Sequence, residues 1–183
     1  MVSDSGDITV VATGTSSYVL ANVIQNVQWY TAPLTANNGT ISLTGTATTG
    51  SGILYGNGSG NMSAKAITIV GTTASGSYGA WIGNMTIVEG GTDIAVTGNV
   101  GTPSNNGIYQ TGAIAMNAAG GNISFISNGV INQAGAITMV ANTSANASTI
   151  LYDATSGTKA SNITAGALTL AAGSTNLVSY VMK

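Results

Sequence analysis

The sequence lacks the side chains on which most catalysis and most nucleic-acid binding depend. It contains no cysteine, histidine or arginine, and its three cationic residues are Lys65, Lys159 and Lys183. The absence of cysteine excludes disulfide bonds and thiolate chemistry. Three cations so far apart in the sequence argue against nucleic acid as a partner and against attachment to acidic lipid. We therefore expect a protein that is not an enzyme and that holds no cofactor or metal.

Charged residues and long apolar runs are also scarce. Charged residues make up 4% of the chain, against roughly a quarter in a typical soluble domain. Residues 94–152 carry no charge, yet glycine, asparagine, serine and threonine interrupt every apolar run. A membrane-spanning helix needs about 20 mostly apolar residues in a row, so we expect no membrane insertion. Residues 1–7 show no signal peptide. We favour a segment of a longer exported bacterial protein, at the cell surface or outside the cell, over a cytosolic protein.

A short pattern recurs along the chain: a large aliphatic residue, then a small residue, then another apolar residue. Such alternation is typical of a β strand with one buried face, and the glycine or asparagine beside most copies favours turns. This first pattern occurs at Ile8–Val10, Ile41–Leu43, Ile67–Ile69, Met85–Ile87, Ile94–Val96, Ile114–Met116, Ile123–Phe125, Ile137–Met139 and Leu168–Leu170. A second pattern ends in an aromatic residue and occurs at Ile53–Tyr55, Ile108–Tyr109 and Ile150–Tyr152.

The spacing of the two patterns indicates that the strands are stacked. Copies of the first pattern from Ile41 to Ile123 begin 26, 27 and 29 residues apart. The second pattern falls between them, and a third short strand fits before each return, near Met62, Met85 and Ile114. Short strands at a nearly fixed period are typical of a solenoid, in which each strand pairs with its equivalent one coil away. The sequence therefore predicts an all-β fold, a parallel β-helix with about three short strands per coil.

The sequence pattern allows two interpretations at each of two segments. Ile137 follows Ile123 by only 14 residues, so it begins either the third strand of the same coil or the first strand of a new one. Ser17–Tyr30 has apolar residues at helical spacing, with Ser17 available as the N-cap. This segment predicts either a short capping helix or two further strands. We assign residues 1–37 to an N-terminal turn or cap and residues 38–183 to one continuous domain of repeats.

Aromatic residues are the best candidates for a binding surface. The same place in the second pattern is held by Tyr55, Tyr109 and Tyr152, and Trp81 lies close to a looser copy of that pattern. If these residues share one register, they form a stripe along a lateral face that can bind a glycan or another protein. The alternative is that the rings stack on one another and only stabilise the solenoid.

The chain also resembles a known family in its rhythm. Residues 107–170 read GIYQTGAIAMNAAGGNISFISNGVINQAGAITMVANTSANASTILYDATSGTKASNITAGALTL. This segment, and the chain from about Asn38 onward, resembles the repetitive part of filamentous-haemagglutinin-like exoproteins, which are bacterial surface adhesins secreted by the two-partner route. The resemblance implies a right-handed β-helical shaft and no catalytic residues.

These observations favour two functions. The first is a non-catalytic structural and adhesive module, with a shaft and a lateral surface for a host or cell-surface glycan or protein. The second is a self-assembling fibre subunit whose partner is another copy of the chain, because solenoid ends expose unpaired strand edges. A polysaccharide-cleaving enzyme fits poorly, because such sites usually need cationic or acidic clusters in a groove and the chain has no arginine or histidine.

Overall fold

The structure is a computed structural model that describes residues 2–15, 18–21, 34–88, 93–118, 121–134, 136–141, 149–154, 162–164, 168–172 and 177–181. All regular secondary structure assigned within these residues is β strand. The strands are β1 (Val2–Ser3), β2 (Ile8–Gly14), β3 (Tyr18–Ala21), β4 (Leu34–Ala47), β5 (Ser51–Thr73), β6 (Tyr78–Val88), β7 (Ile94–Val100), β8 (Asn106–Gln110), β9 (Ile114–Ala118), β10 (Ile123–Ser127), β11 (Val130–Ala134), β12 (Ile137–Ala141), β13 (Thr149–Asp153), β14 (Asn162–Thr164), β15 (Leu168–Ala172) and β16 (Leu177–Val181).

The strands form three walls, and β4, β5 and β6 are long because they continue around corners from one wall to the next. The first wall consists of β2, residues 41–47 of β4, residues 67–73 of β5, β7, β10, β13 and β16. The second wall consists of β3, residues 51–57 of β5, residues 78–84 of β6, β8, β11 and β14. The third wall consists of β1, residues 34–36 of β4, residues 60–64 of β5, residues 85–88 of β6, β9, β12 and β15.

Pairing within each wall is parallel and joins equivalent residues of successive coils. On the first wall this register produces a single line of isoleucines: Ile8, Ile41, Ile67, Ile94, Ile123 and Ile150. No register shift interrupts the pairs that make up this line. The arrangement confirms the predicted all-β parallel solenoid with about three strands per coil.

The core lies between the three walls. The isoleucines of that line are at most 4% exposed, and the third wall faces them with its own line of Met62, Ile87, Met116 and Met139. Burial of one such side chain contributes roughly 1.5–3 kcal/mol. Because the residues alternate inward and outward along each strand, the small polar residue of the first pattern lies on the outside.

The register decides where the patterns belong. Ile137 pairs with Ile114 on the third wall, so it begins the third strand of the coil that starts at Ile123. The assignment of Ile150–Tyr152 to the second pattern is wrong, because this segment pairs with Ile123–Phe125 on the first wall. The two patterns contain similar residue types, so only the strand with which a segment pairs shows to which wall it belongs.

The N-terminal segment contains a strand where a capping helix was one of two predictions. Tyr18–Ala21 is β3, and it pairs with β5 on the second wall. Ser17 and residues 22–30, the rest of the predicted helix, lie outside the described residues. The predicted boundary between residues 37 and 38 falls within β4, with which β1 and β2 both pair.

The first and second walls approach each other so closely that glycine is required between them. A Cβ atom added at Gly71 would lie well inside contact distance of the backbone carbonyl oxygen of Gly79. One coil further, Gly98 has the same relation to the carbonyl oxygen of Gly107. Gly71 and Gly98 pair in register, so the requirement repeats from coil to coil.

Aspartate side chains bridge successive coils at the corner that precedes the first wall. Asp7 Oδ1 accepts a hydrogen bond from the backbone N–H of Thr40, at 2.7 Å. Asp93 Oδ1 accepts hydrogen bonds from the backbone N–H and the side-chain amide of Asn122, at 2.8 Å and 3.0 Å. The hydrogen bond from Thr40 lowers the pKa of Asp7 below its usual value of 3.8, because it favours the charged carboxylate.

We expect Gly71→Ala to destabilise the fold by about 2 kcal/mol or more, because the added methyl group forces two backbones apart. Urea unfolding followed by circular dichroism measures this. The control is Gly6→Ala, where the nearest atom to an added Cβ is Ser3 Oγ at 3.4 Å and we expect a change within about 0.5 kcal/mol. Equal effects of the two substitutions would contradict the close approach of the walls.

We expect the hydrogen bond at Asp7 to make stability depend on pH. Because the folded pKa lies below the unfolded one, the bond contributes stability above the unfolded pKa, and this contribution is lost as the pH falls through the folded pKa. Urea midpoints measured at about pH 6 and about pH 2.5 should therefore differ more for the natural protein than for Asp7→Asn. An identical difference in both proteins would mean that Asp7 has no part in it.

Candidate binding surface

An outward-facing line on the second wall carries the largest exposed aromatic side chains that the structure describes. The register stacks Leu54, Trp81 and Tyr109 on successive coils, and Asn132 follows. These positions point outward because the residues on either side of them, such as Ile82 and Ile108, are fully buried. Two of the four residues predicted to form a stripe, Trp81 and Tyr109, are therefore direct neighbours on one face.

Tyr78 joins these two residues to form an aromatic cluster. Its ring stacks on that of Tyr109, with the centroids 4.7 Å apart and the planes inclined by 15°. The ring of Trp81 is tilted against both, at 5.3 Å from Tyr78 and 6.1 Å from Tyr109. These separations lie within the range in which aromatic pairs attract each other. All three rings remain partly exposed.

Hydrogen bonding fixes the orientation of the indole. Trp81 Nε1 donates to Thr111 Oγ1 on the following coil, at 3.3 Å. Thr111 directly follows β8, which carries Tyr109, so Trp81 contacts a tilted ring on that strand and a hydrogen-bond acceptor just after it. The cluster therefore presents a fixed apolar face with phenol hydroxyls beside it.

Tyr152 lies away from the aromatic cluster, in the interior. Its ring is fully buried and stacks on Phe125, with the centroids 5.0 Å apart and the planes inclined by 7°. Its hydroxyl donates to Met139 Sδ on the third wall, at 3.4 Å. Because Tyr152 occupies an inward position of the first wall, it does not contribute to a lateral surface.

Tyr55 also differs from its predicted place. Its backbone pairs with Ile82 rather than with Trp81, so it is one residue away from the outward line of the second wall. The side chain of Tyr55 lies outside the described part of the structure.

Sequence reasoning missed Tyr78. The residue begins β6, three positions before Trp81. Its segment, residues 78–82, is a looser copy of the second pattern, but Tyr78 was not among the residues predicted to form the stripe. Its backbone pairs with Asn106, which precedes Tyr109 by the same three positions. The register between β6 and β8 is what shows that Tyr78 lies beside Tyr109.

Two further findings concern the described residues as a whole. They contain no cluster of three or more histidine, cysteine, aspartate or glutamate side chains that could hold a metal ion. They also contain no helix with the length and apolar character needed to cross a membrane.

Comparison of the chain with protein-family models, with curated proteins and with solved structures finds no match. The resemblance to filamentous-haemagglutinin-like exoproteins therefore rests on the rhythm of the repeats and on the solenoid fold.

The different positions of the tyrosines predict different costs of truncation. We expect Tyr152→Ala to destabilise the protein by about 3–5 kcal/mol, because it leaves a cavity beside Phe125. The matched change Tyr109→Ala on the outer surface should cost about 1 kcal/mol. Urea unfolding of both variants tests the assignment of one ring to the core and the other to the surface, and a reversed order would contradict it.

Proposed function

We propose that the chain is a non-catalytic structural and adhesive module of a secreted or surface-exposed bacterial protein, similar to the shaft of a filamentous-haemagglutinin-like exoprotein. The solenoid acts as a shaft, and the cluster of Tyr78, Trp81 and Tyr109 is its lateral binding surface. The observation that supports this best is that three mutually packed rings stay partly exposed on the outside of a solenoid whose other described large aromatic rings are buried.

The chemistry of the cluster favours a neutral glycan as the ligand. A pyranose ring has an apolar face of C–H groups that can pack on an aromatic face, and its hydroxyl groups can bond to phenols and amides. Asn132 and Thr111 place such polar groups next to the cluster. Exposed apolar surface rimmed by polar residues is typical of interaction sites. The cluster has no lysine on its own line, so it offers no charge for an acidic sugar.

The proposal is tested by binding of the purified chain to an array of neutral and acidic glycans. We expect binding to neutral glycans, and Trp81→Ala should weaken it by about 2 kcal/mol, or roughly thirtyfold, because a central aromatic residue usually dominates such contacts. The control is Val11→Ala, which truncates an exposed residue on the first wall. Binding to no glycan, or equal loss in both variants, would refute a glycan-binding cluster. Binding of a protein that depends on Trp81 would identify the other class of ligand.

The alternative function is a fibre subunit formed by end-to-end stacking. Among the described strands, β2 pairs only with β4 and β16 only with β13, so each has one edge to which a further strand can bond. That strand comes either from a continuation of the chain or from a second copy. A parallel edge with an apolar inward face is a template for such pairing.

Negative-stain electron microscopy at increasing protein concentration distinguishes the two functions. Uniform filaments that lengthen with concentration would support the fibre subunit. Discrete short rods at every concentration would support the shaft module. A chain without β signal in the far-ultraviolet spectrum would refute both.

A further inference from the structure

The outward face of the first wall is a second regular surface, distinct from the aromatic cluster. Its side chains form three parallel lines that run across the coils, and none of them is buried. From β2 to β10, the first line is Thr9, Ser42, Thr68, Ala95 and Ser124; the second is Val11, Thr44, Val70, Thr97 and Ile126; the third is Thr13, Thr46, Thr72 and Asn99. On β13 the first line continues with Leu151 and the second with Asp153.

These lines form a two-dimensional lattice. No register shift occurs between β2 and β10 on this wall. Neighbouring side chains are therefore separated by about 4.8 Å across the strands and by about 6.7 Å along them, twice the rise per residue. The second wall, by contrast, has register shifts beside Asn57 and Val130.

The chemistry of this face is uniform and unusual for a protein surface. From β2 to β10 it consists of hydroxyl and methyl groups and one amide and carries no charge, whereas on β13 Asp153 continues the middle line beyond Ile126. Two of the three large apolar side chains that are well exposed in the described residues lie on its middle line, Val11 at 69% and Ile126 at 41% exposed. The second wall is different, since it carries the aromatic cluster, and the exposed Lys65 lies at the corner between the third and the first wall.

We propose that the outward face of the first wall binds ice. Ice is a lattice of oxygen atoms, and on its prism plane the two repeats are close to the two spacings of this face. Threonine offers a hydroxyl group that can take the place of a lattice water and a methyl group around which water orders. A face with hydrated charges would hold water in other orientations, and the part of this face from β2 to β10 has none.

A second copy of the chain is a less suitable occupant for this face. Packing of two sheets buries apolar side chains from both inner faces, whereas the first and third lines here consist largely of hydroxyl-bearing residues. Burying those hydroxyl groups without partners costs free energy. Contact with ice keeps each of them hydrogen-bonded to water.

The test is partition of the purified chain into ice that grows slowly from buffered solution, together with inhibition of ice recrystallisation. We expect the natural protein to be enriched in the ice fraction, from which ordinary solutes are excluded. Thr68→Lys, at the centre of the first line, should abolish the enrichment, because a strongly hydrated ammonium group on a long side chain disrupts the lattice.

The matched control is Thr138→Lys, the same change at an exposed position of the third wall, which should leave the enrichment intact. Circular dichroism of both variants checks that the fold is kept. Exclusion of the natural protein from ice would overturn the proposal, as would equal loss in both variants. A dimer that Thr68→Lys dissociates would also overturn it, because a second copy would then cover the face. The glycan array tests a different wall, so either proposal can fail alone.

Discussion

Hydrogen bonding in register between successive coils places equivalent residues on top of one another throughout this protein. The line from Ile8 to Ile150 is the clearest case, because six isoleucines share one inward position. Each side chain therefore packs against the equivalent side chains of the preceding coil and the following coil. The same rule acts on the outside of the solenoid, where it places Trp81 beside Tyr109 on one wall and forms lines of hydroxyl-bearing and apolar residues on another. Core and surfaces thus follow from a single constraint.

The narrow interior is the second consequence of this register. Where the first and second walls meet, glycines such as Gly71 and Gly79 allow the two backbones to touch. On β10 and β13 aromatic rings fill the interior, and Phe125 stacks on Tyr152 almost face to face. The inward position next to the isoleucine line changes along the wall from Val10 and Leu43 to these aromatic rings. The size of the inward side chain therefore varies along this wall while the register of the wall does not.

Much of the fold could be predicted from the sequence, and much less of the surface. Isoleucine followed by a small residue, at a period close to 27, was enough to predict stacked parallel strands. Burial of one face makes apolar residues alternate along each strand, and stacking makes the whole pattern recur once per coil. Ile150–Tyr152 was assigned to the wrong wall because its letters match Ile53–Tyr55, while its partners lie 27 residues away. Tyr78 and the threonine lattice were missed for the same reason. The register between strands decides which side chains become neighbours on successive coils. A shift of one residue moves each side chain to the opposite face of the sheet.

The direction of the ladder hydrogen bonds has a mechanical consequence. They run along the axis of the solenoid, so a pull along that axis loads the bonds of the terminal coil first rather than all coils together. Each coil that detaches converts about 4.8 Å of height into roughly 90 Å of extended chain. With Ile67 and Ile94 one coil apart, such release proceeds in steps of about 27 residues. Under tension the solenoid would lengthen stepwise and dissipate work, and each released coil would stack again on the remaining coils when the load falls.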